Sequence, residues 1–364
     1  MKPFHTVLPF LVALAFAFIT GCKKEIETQI QIKEVEKKLS WTEVPGLNGF
    51  ERIILSTGSN GQSLYLQQPN FFTRLTTQSR SRGMVVSGGR LPTDVGVRLA
   101  IGRDFFAYPA SDSLLVICRN NEPLNYEAYV QLRRFDPSGV RFNTRLFSLS
   151  KCTAINQNNY LLAPYDNNRP DRPTTFLLAA VTPGFVGISQ VAATSRRVVI
   201  PRPAPPAGGI IYVRNITAID DYFLVNMGDA GIYKIKQDGT FRQVYGYAIA
   251  DAFYKWNNTV YAPVEYNKIL TSTDNGDTWQ LSSGTPDYFT LATYHTVGDS
   301  LIGSYYGNLY TLRWNGPRYS ARFLKNDGLD RATVTGIEYL RDTVYVATTS
   351  GLFARPVKAF FETK

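Results

Sequence analysis

Histidine is nearly absent. The 364-residue chain has two, His5 and His295. His5 lies in an apolar leader, so His295 is the one histidine expected in the mature protein. That excludes His-rich metal centres, and any Ser-His-Asp triad would have to pass through His295. His295 sits in an alternating run, Thr-Tyr-His-Thr-Val, that reads as a strand, so it is taken as structural. Cysteine is scarce as well: Cys22, Cys118 and Cys152, with no paired CxxC motif. No Gly-rich phosphate loop and no HExxH zinc motif occurs. No segment of the body carries an amphipathic helical period. No catalytic residue can be assigned, and no cofactor or metal is expected.

The leader has its own chemistry. Lys2 precedes an unbroken apolar run at 7–19, the length of a signal-peptide core and too short for a comfortable span of about 20 apolar residues. Ile19-Thr20-Gly21-Cys22 follows and resembles the bacterial lipobox. The resemblance implies cleavage after residue 21 and diacylglycerol on the Cys22 thiol. With N-acylation, more than one chain would provide stable membrane anchoring. Residues 22–40 are rich in Lys, Glu and Gln, a tether composition. Lys23-Lys24-Glu25 loosely resembles the surface-export signal of Bacteroidetes lipoproteins. The expected location is the bacterial outer membrane, facing periplasm or cell surface. Beyond the inner membrane Cys118 and Cys152 can pair. Two buried thiols are the alternative, since Cys118 ends the apolar run Leu114-Leu115-Val116-Ile117.

From residue 41 onward the composition belongs to strands and turns, with 22 Tyr, 22 Phe and 28 Gly over the whole chain. A unit recurs in the second half. Asp221-Tyr222-Phe223-Leu224-Val225 leads to Gly231-Ile232-Tyr233, and Thr259-Val260-Tyr261-Ala262 to Lys268-Ile269-Leu270. Ser300-Leu301-Ile302-Gly303 leads to Asn308-Leu309-Tyr310, and Thr343-Val344-Tyr345-Val346 to Gly351-Leu352-Phe353. The starts lie about 37 to 43 residues apart, the spacing of a four-stranded propeller blade. Weaker copies at 63–66, 104–108 and 159–163 bring the count to about seven units. The predicted fold is an all-β propeller over 41–364. Residues 41–45 either complete the last blade beside 357–361 or form a frayed first blade. The period breaks near 164–210, where the polar stretch 166–173 and the Pro-rich stretch 200–209 predict a long surface excursion.

One octet constrains the architecture further. Residues 272–279 read Ser-Thr-Asp-Asn-Gly-Asp-Thr-Trp. Ser272 and Asp274 offer short acceptors to a turn's backbone N–H groups, Gly276 accepts positive φ, Thr278 adds a hydroxyl and Trp279 opens the return strand. The octet resembles the Asp-box of bacterial neuraminidases, a hairpin turn of propeller blades. Calcium is a poorer reading, because no downstream bidentate glutamate follows. The resemblance also raises sialidase chemistry: three arginines clamping a carboxylate, a tyrosine nucleophile with a glutamate, and an aspartate acid/base. Such enzymes carry an early aromatic-Arg-Ile-Pro motif. The nearest string here, Phe50-Glu51-Arg52-Ile53-Ile54, has an insertion and lacks the proline.

The formal charge is +10, from 39 basic and 29 acidic residues. Arginines crowd the first half, among them Arg74, Arg103, Arg133, Arg134 and Arg141, with Arg196, Arg197 and Arg202 near the Pro-rich stretch. A basic face attracts anionic glycans, lipid headgroups or acidic proteins; an exported protein makes nucleic acid an unsuitable partner. Tyr305-Tyr306-Gly307 and Tyr245-Gly246-Tyr247 read either as sugar-stacking platforms or as packing between blades. The function that results is a lipid-anchored, monomeric, non-catalytic scaffold for a glycan or protein partner. The alternative is an exported sialidase-like glycoside hydrolase. An assembly factor like the Asp-box propeller of photosystem biogenesis is a third reading, by fold analogy alone.

Overall fold

Six times the chain folds four consecutive strands into one antiparallel sheet, a seventh sheet joins strands from both ends of the described residues, and a computed structural model shows the seven sheets as a closed ring. The structure describes residues 40–364 apart from 48, 70, 77–79, 85–99, 120–126, 143–152, 167–172, 182–194, 202–212, 248–249, 251, 265–267, 284–292, 306, 316–317 and 330–331. Residues 41–364 form a single compact unit.

Each blade runs from an inner to an outer strand. Blade 1 uses Ser56–Ser59, Leu64–Gln67, Phe71–Leu75 and Arg80–Met84; blade 2 uses Ala100–Ile101, Phe105–Ser111, Leu114–Arg119 and Glu127–Gln131. Blade 3 comprises Ala154–Ile155, Tyr160–Tyr165, Thr174–Ala180 and Ser195–Ile200. Blade 4 comprises Asn215–Ile219, Tyr222–Asn226, Ile232–Lys236 and Phe241–Tyr245. Blade 5 follows with Tyr254–Trp256, Thr259–Val264, Lys268–Ser272 and Gln280–Ser283, and blade 6 with Thr293–Val297, Ser300–Tyr305, Asn308–Asn315 and Arg318–Phe323. Blade 7 has three strands from the C-terminal end, Val334–Leu340, Thr343–Thr348 and Gly351–Pro356. Its outer strand, Thr42–Glu43, comes from the other end of the unit.

The turn from first to second strand explains why the recurring unit begins on a polar residue. It requires φ > 0, which Gly, Asn and Asp tolerate best. Asn159, Asp220, Asn257, Asn258 and Gly298 supply it in blades 3 to 6. Arg341 does so in blade 7 without that advantage.

A blade is apolar on both faces, so it is stable only between neighbours. Among the described residues seven apolar clusters are found, and each bridges one pair of adjacent blades. Tyr65 and Phe72 meet Phe106 and Tyr108 between blades 1 and 2. The series continues through blades 2–3, 3–4, 4–5, 5–6 and 6–7. Leu340, Ala347 and Leu352 then meet Ile54, Leu64 and Leu66 between blades 7 and 1. Seven interfaces for seven blades leave no open face. Small residues set the approach near the axis: a Cβ on Gly58 would collide with Ile101, and one on Gly336 with Thr57.

Two expectations change. Residues 41–45 do complete the last blade, but beside Gly351–Pro356: Thr42 pairs with Ala354 and Glu43 with Phe353. The segment expected as their partner forms instead a one-turn helix, Val357–Phe360. Pro356 has no N–H to continue the ladder, and the Val357 N–H turns back to the Asp342 carbonyl at 2.8 Å. The expected excursion over about 164–210 is interrupted by Thr174–Ala180 and Ser195–Ile200, the third and fourth strands of blade 3; of the polar stretch, 167–172 lies outside the described residues. Of the Pro-rich stretch, 202–209 lies outside the described residues.

Candidate functional site

Among the described residues two polar clusters adjoin cavities, on opposite faces of the ring. The first lies where blade 2 hands over to blade 3. A one-turn helix, Leu132–Phe135, ends at Asp136, which is buried at 7% exposure. Its carboxylate accepts from the Tyr165 hydroxyl at 2.8 Å and from Arg197 Nη1 at 3.2 Å. It also accepts from the Ser138 N–H at 2.9 Å and the Ser138 hydroxyl at 2.6 Å. Burial alone would raise its pKa, but these donors outweigh it and hold the carboxyl near 2. Burial first, then the hydrogen bond to Asp136 and that carboxylate's charge, push the Tyr165 phenol well above its ordinary value. Asp166, at φ 55°, turns its carboxylate back onto the Val140 and Arg141 N–H groups at 2.9–3.0 Å. The adjoining cavity of about 160 Å³ falls below the ~300–1,000 Å³ of small-molecule sites.

The second lies between blades 4 and 5 and contains the octet. Residues 272–279 form the turn from Lys268–Ser272 to Gln280–Ser283. Ser272 donates to Asp274 Oδ1 at 2.8 Å and accepts from the Gly276 N–H at 2.8 Å. Asp274 accepts from the Asp277 and Thr278 N–H groups at 3.0 and 2.8 Å and from the Thr278 hydroxyl at 2.6 Å. Thr278 leads the donors that hold the Asp274 carboxyl far below the carboxylate range. Gly276 has φ 80°, and Trp279 packs into the blade 4–5 core, 6.2 Å from Phe253. Each of the five octet positions singled out in the sequence therefore has a part in one turn.

That turn is tied to its neighbour. Lys234, on the third strand of blade 4, is 6% exposed. It donates to the Asn275 carbonyl at 2.9 Å and to Asp277 Oδ1 at 2.7 Å, and it lies 4.2 Å over the Tyr222 ring. Arg242 reaches the same Asp277 oxygen at 2.5 Å, and Lys255 pairs with Asp220. A cavity of about 430 Å³ opens beside this junction.

The remaining expectations fall as follows. His295 is on the inner strand of blade 6, its Nε2 3.4 Å from the Ser304 hydroxyl. No arginine lies on any of the seven described inner strands. Arg74, on the third strand of blade 1, donates to Ser63 at 3.0 Å; Arg103, in the turn between the first two strands of blade 2, pairs with Asp104 at 3.0 Å; and Arg196, on the outer strand of blade 3, donates to the Asp238 carbonyl at 2.6 Å. Tyr245 packs on the blade 4–5 core, Tyr247 is exposed, and Tyr306 lies outside the described residues. Cys118 is buried between blades 1 and 2. Cys22 and Cys152 lie outside the described residues, so the lipid site and the disulfide have no geometry to report. Among the described residues no helix is long and apolar enough to cross a membrane, and no group of three His, Cys, Asp or Glu is placed to hold a metal ion.

No protein-family model matches the chain, and no curated protein does. Solved structures do match, at low identity. A catalytically inactive virginiamycin B lyase from Staphylococcus aureus, solved with quinupristin, is 12% identical with a TM-score of 0.56, covering 87% of this chain and 98% of the other. A chain of a mitotic checkpoint complex is 9% identical with a TM-score of 0.54, covering 87% and 93%. YCF48 bound to a D1 peptide is 11% identical with a TM-score of 0.54, covering 88% and 97%. At such identities the likeness is one of fold, and the fold is a seven-bladed β-propeller of four-stranded antiparallel blades.

Proposed function

We propose that this chain is an exported lipoprotein, anchored through Cys22, whose propeller serves as a non-catalytic binding or assembly scaffold for a glycan or protein partner. The observation that carries the reading is how the charged side chains are used. Asp136, Asp274, Asp277 and Lys234 are each committed to holding a turn or joining two blades. A general acid needs a pKa near the working pH, and the two most perturbed carboxyls are displaced the other way. Protein partners suit the fold: YCF48 was solved with a D1 peptide and another similar propeller within a mitotic checkpoint complex. A similar fold is also found in a lyase, so the site has to decide the function.

The rival, a sialidase-like hydrolase, has one feature in its favour: Tyr165 beside a buried carboxylate with an arginine, Arg197. The feature counts for little. Among the described residues one guanidinium, that of Arg197 on the outer strand of blade 3, bonds the carboxylate, and Asp136 stays ionised down to about pH 2. The anchor is tested by metabolic labelling with a palmitate analogue. Label on the wild type and none on Cys22→Ala is the expected result. Label that survives the substitution overturns the anchor.

A further inference from the structure

The cavity between blades 4 and 5 holds donors that no described residue satisfies. Tyr222 lines it and is 4% exposed, and its hydroxyl has no hydrogen-bond partner among the described residues. The side-chain amide nitrogen of Gln237, also on the lining, is buried without a partner among those residues. A buried donor left unmet is costly, so each favours a ligand that can accept from it. Gln237 as a residue is only half-buried, so its amide can turn toward the cavity without disturbing the core. Acceptors share the lining with these donors. Asp220, Asp221, Asp238 and Asp277 line the same space. Asp220 pairs with Lys255, Asp277 with Lys234 and Arg242, and Asp238 caps the Thr240 turn. Asp221, exposed at the rim, is the cavity carboxylate with no such commitment among the described residues.

The volume of about 430 Å³ lies within the ~300–1,000 Å³ range of small-ligand sites, and the chemistry narrows the occupant. A metal ion is unsuitable, since the carboxylates do not converge as a ligand group. A guanidinium or ammonium only donates, and would leave the Gln237 amide unmet. An anionic sugar would face four carboxylates with two lysines, Lys234 and Lys236, in the same lining. A neutral sugar hydroxyl both donates and accepts, so adjacent hydroxyls can serve the donors and the carboxylates of the lining together.

We propose that this cavity binds a neutral carbohydrate, with Asp221 accepting from neighbouring sugar hydroxyls while Tyr222 and Gln237 donate to sugar oxygens. The proposal rests on the binding reading above and names the ligand class of that function. The site is on the face of the ring opposite the Asp136 cluster and uses no residue of it.

Saturation-transfer NMR on the full chain tests it, with methyl glycosides of mannose, galactose and glucose and the methyl glycoside of N-acetylneuraminic acid as probes. Transfer to at least one neutral glycoside and none to the sialoside is expected. Asp221→Asn and Tyr222→Phe should each weaken it about fivefold or more. Tyr222→Phe removes an unmet buried hydroxyl, so the free protein should melt no lower than wild type; a loss of binding then reports the site rather than unfolding. Absence of transfer to every neutral glycoside, preference for the sialoside, or transfer that survives both variants overturns the proposal. The last outcome places the sugar elsewhere and leaves the scaffold reading standing. Turnover of a bound glycoside overturns the scaffold reading and leaves the site.

Discussion

Trp41 stands edge-on to Phe360, ring centroids 5.9 Å apart and planes at 81°, and so joins the two ends of the propeller unit. Its indole N–H donates to the Lys325 carbonyl at 3.3 Å. Buried Arg355 donates to the same carbonyl at 3.2 Å and pairs with Glu362 at 2.8 Å. Only two residues, Thr42 and Glu43, form the closing strand, so side-chain packing has to carry much of the closure. Trp41→Ala should cost about 3–5 kcal/mol and appear mainly as faster unfolding in urea jumps. A loss under about 1 kcal/mol would mean that the ring closes without this contact.

Lys234 and Asp277 join two blades across 43 positions of sequence. Lys234 is deeply buried while Asp277 is partly exposed and shared with Arg242, so solvent screening discounts the pair. Lys234→Met should destabilise by about 2 kcal/mol. In a double-mutant cycle with Asp277→Asn the coupling should be about 1 kcal/mol. Additive effects would show that the pair does not hold blade 4 to blade 5.

Acid should find Asp136. Its folded pKa, near 2, lies below the ordinary 3.8. Its contribution to stability is therefore full above about pH 4 and lost as pH falls toward 2. The size is about 2 kcal/mol. Urea midpoints measured between pH 5 and 2 should fall less steeply in Asp136→Asn than in wild type. Parallel curves would contradict the assignment.

Asp274 organises its turn through two backbone N–H groups and two hydroxyls. Asp274→Ala should destabilise by about 1–2 kcal/mol. Hydrogen exchange should quicken locally at the Asp277 and Thr278 amides, and uniform exchange would argue against a local role.

Much of this architecture was legible in the sequence because the second strand of each blade is buried on both faces. Leu64–Gln67, Phe105–Ser111 and Tyr160–Tyr165 all lie on the three weaker repeat copies. Two of the inner strands were not legible: Ala100–Ile101 and Ala154–Ile155 have two residues each, too few for any period, whereas Thr293–Val297 alternates and reads as a strand. Missing the third strand of blade 3, Thr174–Ala180, moved the apparent break in the repeat to the wrong place. The octet announced its own turn because every bond within it is local. Its attachment to Lys234 carries no sequence signal, since the residues meet only when blades 4 and 5 stack. The cavity with Tyr222 and Gln237 was invisible for the same reason: its walls come from three separate turns.

The central claim is a propeller that binds without turning over its ligand. The most direct test is prolonged incubation of the purified full chain with a fluorogenic sialoside and a panel of aryl glycosides. The account predicts no product above the enzyme-free blank. Release of fluorophore by the wild type that disappears in Asp136→Asn would contradict it.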